Sequence, residues 1–89
     1  MRTEFKKSFA KDLRARKNDE RFLGRVKEII ENVECADILV DICNLKKLKG
    51  ESDYYRIRFG NFRIGVKIQG DLVNFIRALH RKDIYRYFP

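Results

Sequence analysis

The chain has 89 residues, 44% of them hydrophobic and 12% aromatic, and carries a formal net charge of +8. That is one domain, 1–89, with enough apolar residues to fold around a modest core, so disorder is not indicated. No uncharged apolar run approaches the roughly 18 residues a membrane span requires, and no secretory pattern follows Met1, which points to a soluble cytoplasmic protein.

Phe5, Phe9 and Leu13 recur every four residues, the stripe of a helix starting near Lys7. Arg16, Lys17 and Asn18 close it, and Asn18 or Asp19 can cap the next helix by accepting a backbone N–H. Phe22, Val26, Ile29, Ile30 and Val33 then mark one face of a second amphipathic helix, with Glu20, Arg21, Arg25, Lys27 and Glu28 on the remainder. The two helices are expected to form an antiparallel hairpin with its apolar side turned to another layer.

Cys35 and Cys43 follow as the only two cysteines. Without histidine nearby they make a poor zinc site, which takes four nitrogen or sulfur ligands when structural. Reduced, half-buried packing residues are expected, and no metal or cofactor.

From Tyr54 the period changes to two. Tyr55, Ile57 and Phe59 alternate with Tyr54, Arg56 and Arg58, and Gly60-Asn61 makes a turn. Phe62, Ile64, Val66 and Ile68 alternate with Arg63, Gly65 and Lys67, and a second turn, Gln69-Gly70-Asp71, leads to a third strand over 72–79. That strand is apolar on both faces except at Asn74 and Arg77, as an interior strand is. The fold class is therefore α+β: an N-terminal helical hairpin packed on a small, mainly antiparallel, twisted sheet.

Charge divides the same way. Residues 1–53 carry 13 Lys/Arg against 11 Asp/Glu, whereas residues 54–89 carry 8 against Asp71 and Asp83 alone. Strand parity puts Arg56 and Arg58 on one face, with Arg63 nearby on the next strand and Lys67 further along. Like charges at such distances repel, so the cluster is not a stability device. A solvated charged face is one reading. The other is a phosphate-binding face, since guanidinium groups bind phosphate bidentately and stay charged at any relevant pH. Nucleic acid, RNA foremost, is the polyanion such a face suits.

Four pieces of the chain carry a family resemblance: Leu48-Lys49-Gly50, Asp53-Tyr54-Tyr55-Arg56-Ile57-Arg58, Phe62-Arg63-Ile64, and His80-Arg81-Lys82-Asp83-Ile84-Tyr85. In order and spacing they resemble the RelE/ParE toxin superfamily, most strongly from 46 to 88. The resemblance implies that family's microbial-RNase-like fold and the toxin of a type II toxin–antitoxin pair. RelE-like members are metal-independent endoribonucleases that cut mRNA in the ribosomal A site and are blocked by a RelB-type antitoxin. ParE-like members share the fold but inhibit DNA gyrase and do not cleave RNA. A catalytically silent nucleic-acid-binding module is a third possibility.

Carried over by motif, the family's reacting positions fall at Arg56, Arg58, Arg63, Arg81 and Tyr85. The resemblance implies that Arg56 and Arg63 hold the phosphate, Arg81 assists the leaving group and Tyr85 orients or stacks on the nucleotide. One departure matters. The position of Arg58 is a lysine in the best-known RelE-type site, where it is the assigned base, and arginine is a very poor base. His80 is then the candidate for proton transfer; its alternative role is a backbone hydrogen bond at the strand end. Lys49, Tyr54, Lys67 and Lys82 complete the expected RNA-contacting set, while Tyr87 and Phe88 are expected to pack.

Overall fold

In the computed structural model, which describes Met1–Pro89, the order of elements is β1 (Arg2–Phe5), α1 (Lys7–Ala15), α2 (Glu20–Cys35), a 3₁₀ turn (Leu39–Asp41), β2 (Leu45–Lys47), β3 (Tyr54–Phe59), β4 (Phe62–Gln69), β5 (Leu72–His80) and α3 (Arg81–Tyr87). The five strands form one sheet in the order β1-β5-β4-β3-β2. Only β1 and β5 run parallel; the rest of the sheet is antiparallel. No helix is long and apolar enough to cross a membrane.

Helices α1 and α2 form where the periodicity predicts them, but they are not an N-terminal hairpin, because β1 precedes them in the sheet. Asp19 is the cap of α2, its Oδ1 accepting the Phe22 N–H at 3.0 Å. Phe22, Val26 and Val33 are buried against the sheet with Phe9 of α1. Against them the sheet turns Ile57, Phe59, Ile64, Val66 and Ile68, the inward parity of β3 and β4, together with Val73 and Phe75 of β5.

Three elements depart from the expectation. Phe5 lies in β1 rather than on the α1 stripe, because Arg2 to Phe5 pair with Leu72 to Phe75. Beyond Phe5 the edge of β5 is covered by α1 instead: Ser8 Oγ donates to the Ile76 carbonyl at 2.6 Å, and Asp12 accepts the Ala78 N–H at 2.9 Å. These bonds satisfy backbone groups that an uncovered edge would leave bare. Three-residue β2 completes the opposite edge, Leu45 facing Ile57 and Lys46 facing Arg56.

The third departure is α3, which places a helix on the sheet face expected to be free. Its Ile84 and Phe88 are buried in a second, smaller apolar patch. Phe88 lies flat on Gly65: a Cβ there would come within 2.7 Å of the ring, so only glycine admits the contact. Tyr54 meets the same ring edge-on at 5.6 Å. Tyr87, expected to pack, is instead 53% exposed. Both cysteines are free and exposed, not half-buried packing residues, since the α2 stripe turns Cys35 outward and Cys43 precedes the β2 edge.

Candidate functional site

The arginines of β3 and β4 meet because the two strands are joined by the shortest kind of turn. Gly60 takes φ +55°, which a side chain rarely adopts, and Arg58 then stands directly opposite Arg63. Arg56 stands opposite Gly65, two residues along the same face. Arg81 joins them from the first residue of α3, whose backbone N–H donates to the Asn61 carbonyl at 2.7 Å.

Arg63 is the fixed member of the group. Its Nη1 donates to the Gly60 carbonyl at 3.0 Å and the Phe62 carbonyl at 2.8 Å, while its buried Nε has no partner. Burial, followed by the charges of Arg56, Arg58 and Arg81, pulls its guanidinium pKa below the usual arginine range. The structure contains ion pairs at Arg2–Asp71, Arg25–Glu28 and Arg77–Asp12, and none of them reaches this cluster. Four cations thus converge without a carboxylate, an arrangement that costs stability and suits a multiply charged anion.

His80 ends β5 and caps α3. Its Nδ1 accepts the Lys82 N–H at 3.1 Å, and its ring meets Phe62 edge-on at 5.7 Å. The expected ring free to accept a proton is therefore already an acceptor at one nitrogen. In the neutral tautomer this contact selects, the proton sits on Nε2, which makes that nitrogen a donor.

Tyr85 is 64% exposed, with the Arg56 guanidinium 5.4 Å from its ring centre. Across from this pair lie β2 and the segment after it. Lys46, Lys47, Lys49, Arg56, Tyr85 and Phe88 line one groove of about 400 Å³, with Glu51 the one acid in it. Lys49 was expected here. Lys46 and Lys47 were not, although the run Lys46-Lys47-Leu48-Lys49 was their signal in the sequence. Tyr54 and Lys67 form a separate pair, the ammonium 5.6 Å from the ring, four residues along β3 from Arg58 and beyond the row that Phe88 covers. Lys82 is exposed on the first turn of α3.

Comparison with known proteins extends the likeness over nearly the whole chain. Residues 3–85 match the family model described as ParE toxin of the type II toxin–antitoxin system parDE. The chain is 47% identical over 90 residues to Toxin RelE3 of Methanocaldococcus jannaschii, covering all of both proteins. Among solved structures it is similar to a chain of the RelB–RelE antitoxin–toxin complex from Methanococcus jannaschii, with a TM-score of 0.80 and 44% identity over 97% of this chain and 99% of that one. YafQ from E. coli shares the fold at 16% identity, with a TM-score of 0.65 over 96% of this chain and 99% of YafQ. This α+β chain, with its arginine-bearing sheet, belongs to the RelE/ParE superfamily of type II toxins.

Proposed function

We propose that this toxin is a metal-independent endoribonuclease that cuts mRNA on the ribosome, in the A site, and so stops translation. The observation that carries the reading is the convergence of Arg56, Arg58, Arg63 and Arg81 with no carboxylate paired to any of them. A gyrase inhibitor of the ParE kind has no use for converging phosphate ligands, and the 47% identity is to a RelE.

The chemistry is attack by the ribose 2′-oxygen on the adjacent phosphorus. The O2′–P bond forms, the P–O5′ bond breaks, and the proton lost from O2′ balances the one gained at O5′, leaving a cyclic phosphate and a 5′-hydroxyl. Arg63 and Arg56 hold the non-bridging oxygens as charge builds on the phosphorane. A phosphate oxygen also gives the buried Nε of Arg63 the partner it lacks. Arg58 supplies charge rather than a base. Arg81 and the Nε2–H of His80 serve the departing O5′, and Tyr85 offers a ring to the nucleobase. Lys49 and Lys82, with Tyr54 and Lys67 further out, contact the flanking strand.

A translating extract tests this reading. Added toxin should cut the message at ribosome-occupied codons and leave gyrase supercoiling unaffected. Intact message with trapped gyrase–DNA complexes would instead establish the ParE activity, and neither effect a silent binding module.

A RelB-like antitoxin is the partner this reading requires, since a free ribonuclease of this kind harms its host. The relative of known structure at 44% identity was solved as a RelB–RelE complex. Binding only the folded toxin, the antitoxin should raise its melting temperature markedly. Identical melting with and without it would contradict the pairing.

A further inference from the structure

Outside the arginine site, the most unusual charge distribution is on α2. Its cations, Arg21, Arg25 and Lys27, crowd the first half, and Glu28, Glu31 and Glu34 follow in the second. Asp19 and Glu20 at the start suit the helix dipole, but Arg21 and Arg25 within the first two turns do not, and the last turn, where bases are favoured, holds none. Helix stability therefore does not account for Arg21, and accounts for Arg25 only through its exposed 3.7 Å pair with Glu28.

Their position does. Arg25 and Arg58, together with Glu28, line one shallow hollow of about 210 Å³, so α2 adjoins the arginine site directly. Arg25 and Arg21 line the next, about 350 Å³, against the Phe59–Phe62 turn. Asp19 joins that hollow to a third, about 650 Å³, at the α1–α2 connection with Arg14 and Lys17. Arg16 anchors this connection to the sheet, its guanidinium 4.5 Å from the Phe62 ring centre and 5.4 Å from that of Phe22. Arg14, Lys17 and Arg21 are exposed and have no carboxylate partner. The Asp19 carboxylate among them is occupied in capping α2.

We propose that the RNA strand held at the arginine cluster continues past Arg58 along this trough, with Arg25, Arg21, Lys17 and Arg14 as phosphate contacts. Arg21 and Arg25 lie about one helical turn apart, a spacing suited to successive phosphates of an extended strand. The inference rests on the proposed cleavage reading and extends it: the toxin grips a longer stretch of the cleaved strand than the arginine cluster spans.

Binding of non-cleavable, 2′-O-methylated single-stranded RNA of about four and about twelve nucleotides tests it. In the triple variant R14A/K17A/R21A, at exposed positions that should leave the melting temperature unchanged, the long strand should bind more weakly. Its log–log salt slope should be shallower by about 2, at about 0.7 per lost phosphate contact. The short strand should bind as before, and Arg21→Lys should keep wild-type binding of the long one. An unchanged slope and affinity for the long strand overturns the inference. So does a variant that loses only a folded hairpin RNA, or only the antitoxin, with single strands unaffected. If Arg63→Ala also cleaves ribosome-bound message at the wild-type rate, the cleavage reading falls and this inference with it; loss of that cleavage without a trough effect overturns the inference alone.

Discussion

With its Nδ1 engaged by the Lys82 amide, His80 can accept a proton there only by releasing the first turn of α3, whereas a hydrogen bond donated from Nε2–H, with that proton retained, leaves the cap intact. Under the proposed cleavage reading, that asymmetry favours a hydrogen bond to the leaving oxygen over proton abstraction from the 2′-hydroxyl. His80→Asn separates the two roles, because asparagine is a good N-cap but too short to replace the imidazole. Single-turnover cleavage by this variant should fall about 100- to 1,000-fold, the usual cost of one donor to developing charge, with the melting temperature held. A wild-type rate would leave His80 as a cap only. Asp12 shows what residue-by-residue reading misses. In sequence it is one more acid on an amphipathic helix; in the fold it is 9% exposed, accepts from Arg77 at 2.8 and 3.0 Å, and holds the Ala78 N–H. Its hydrogen bond, then its charge opposing the effect of burial, lifts the Arg77 pKa. No local pattern signals a partner 65 residues away.

The elements that were legible are those whose own periodicity buries a face: α2 through Phe22, Val26 and Val33, and β3 and β4 through strict alternation. β1 and β2 were not, having four and three residues and mostly exposed side chains; their backbone pairing, not their composition, makes them strands. The same holds for α3, whose seven residues are too few to be stable alone and depend on Ile84 and Phe88 docking on the sheet. Parity correctly grouped Arg56, Arg58 and Arg63, but the Phe88–Gly65 contact that divides this face from Tyr54 and Lys67 is non-local. Gly65→Ala tests that contact. The added methyl must displace Phe88, at a cost of about 1–3 kcal/mol for an overpacked site, or roughly 4–20 °C in melting temperature. Because α3 carries Arg81 and Tyr85, cleavage should weaken as well. Unchanged melting and cleavage would show that α3 is not held by this contact.

Across the whole molecule the balanced half forms the helical layer and two edge strands, and the basic half forms the sheet centre with the helix that lies on it. The division concentrates charge at the centre of the sheet. Arg63 is pinned by two backbone carbonyls between β3 and β5, while Arg58 and Arg81 approach it from a strand and a helix end. Rigid placement of like charges is costly in the free protein and useful only when an anion arrives, which is the physical content of calling this face a cleavage site. The measurement closest to that claim is single-turnover cleavage of message on programmed ribosomes by Arg63→Ala beside wild type, both at saturating toxin. The account predicts a rate lower by at least about 100-fold, as for loss of a transition-state donor, with ribosome affinity nearly intact. Cleavage by Arg63→Ala at the wild-type rate would contradict it.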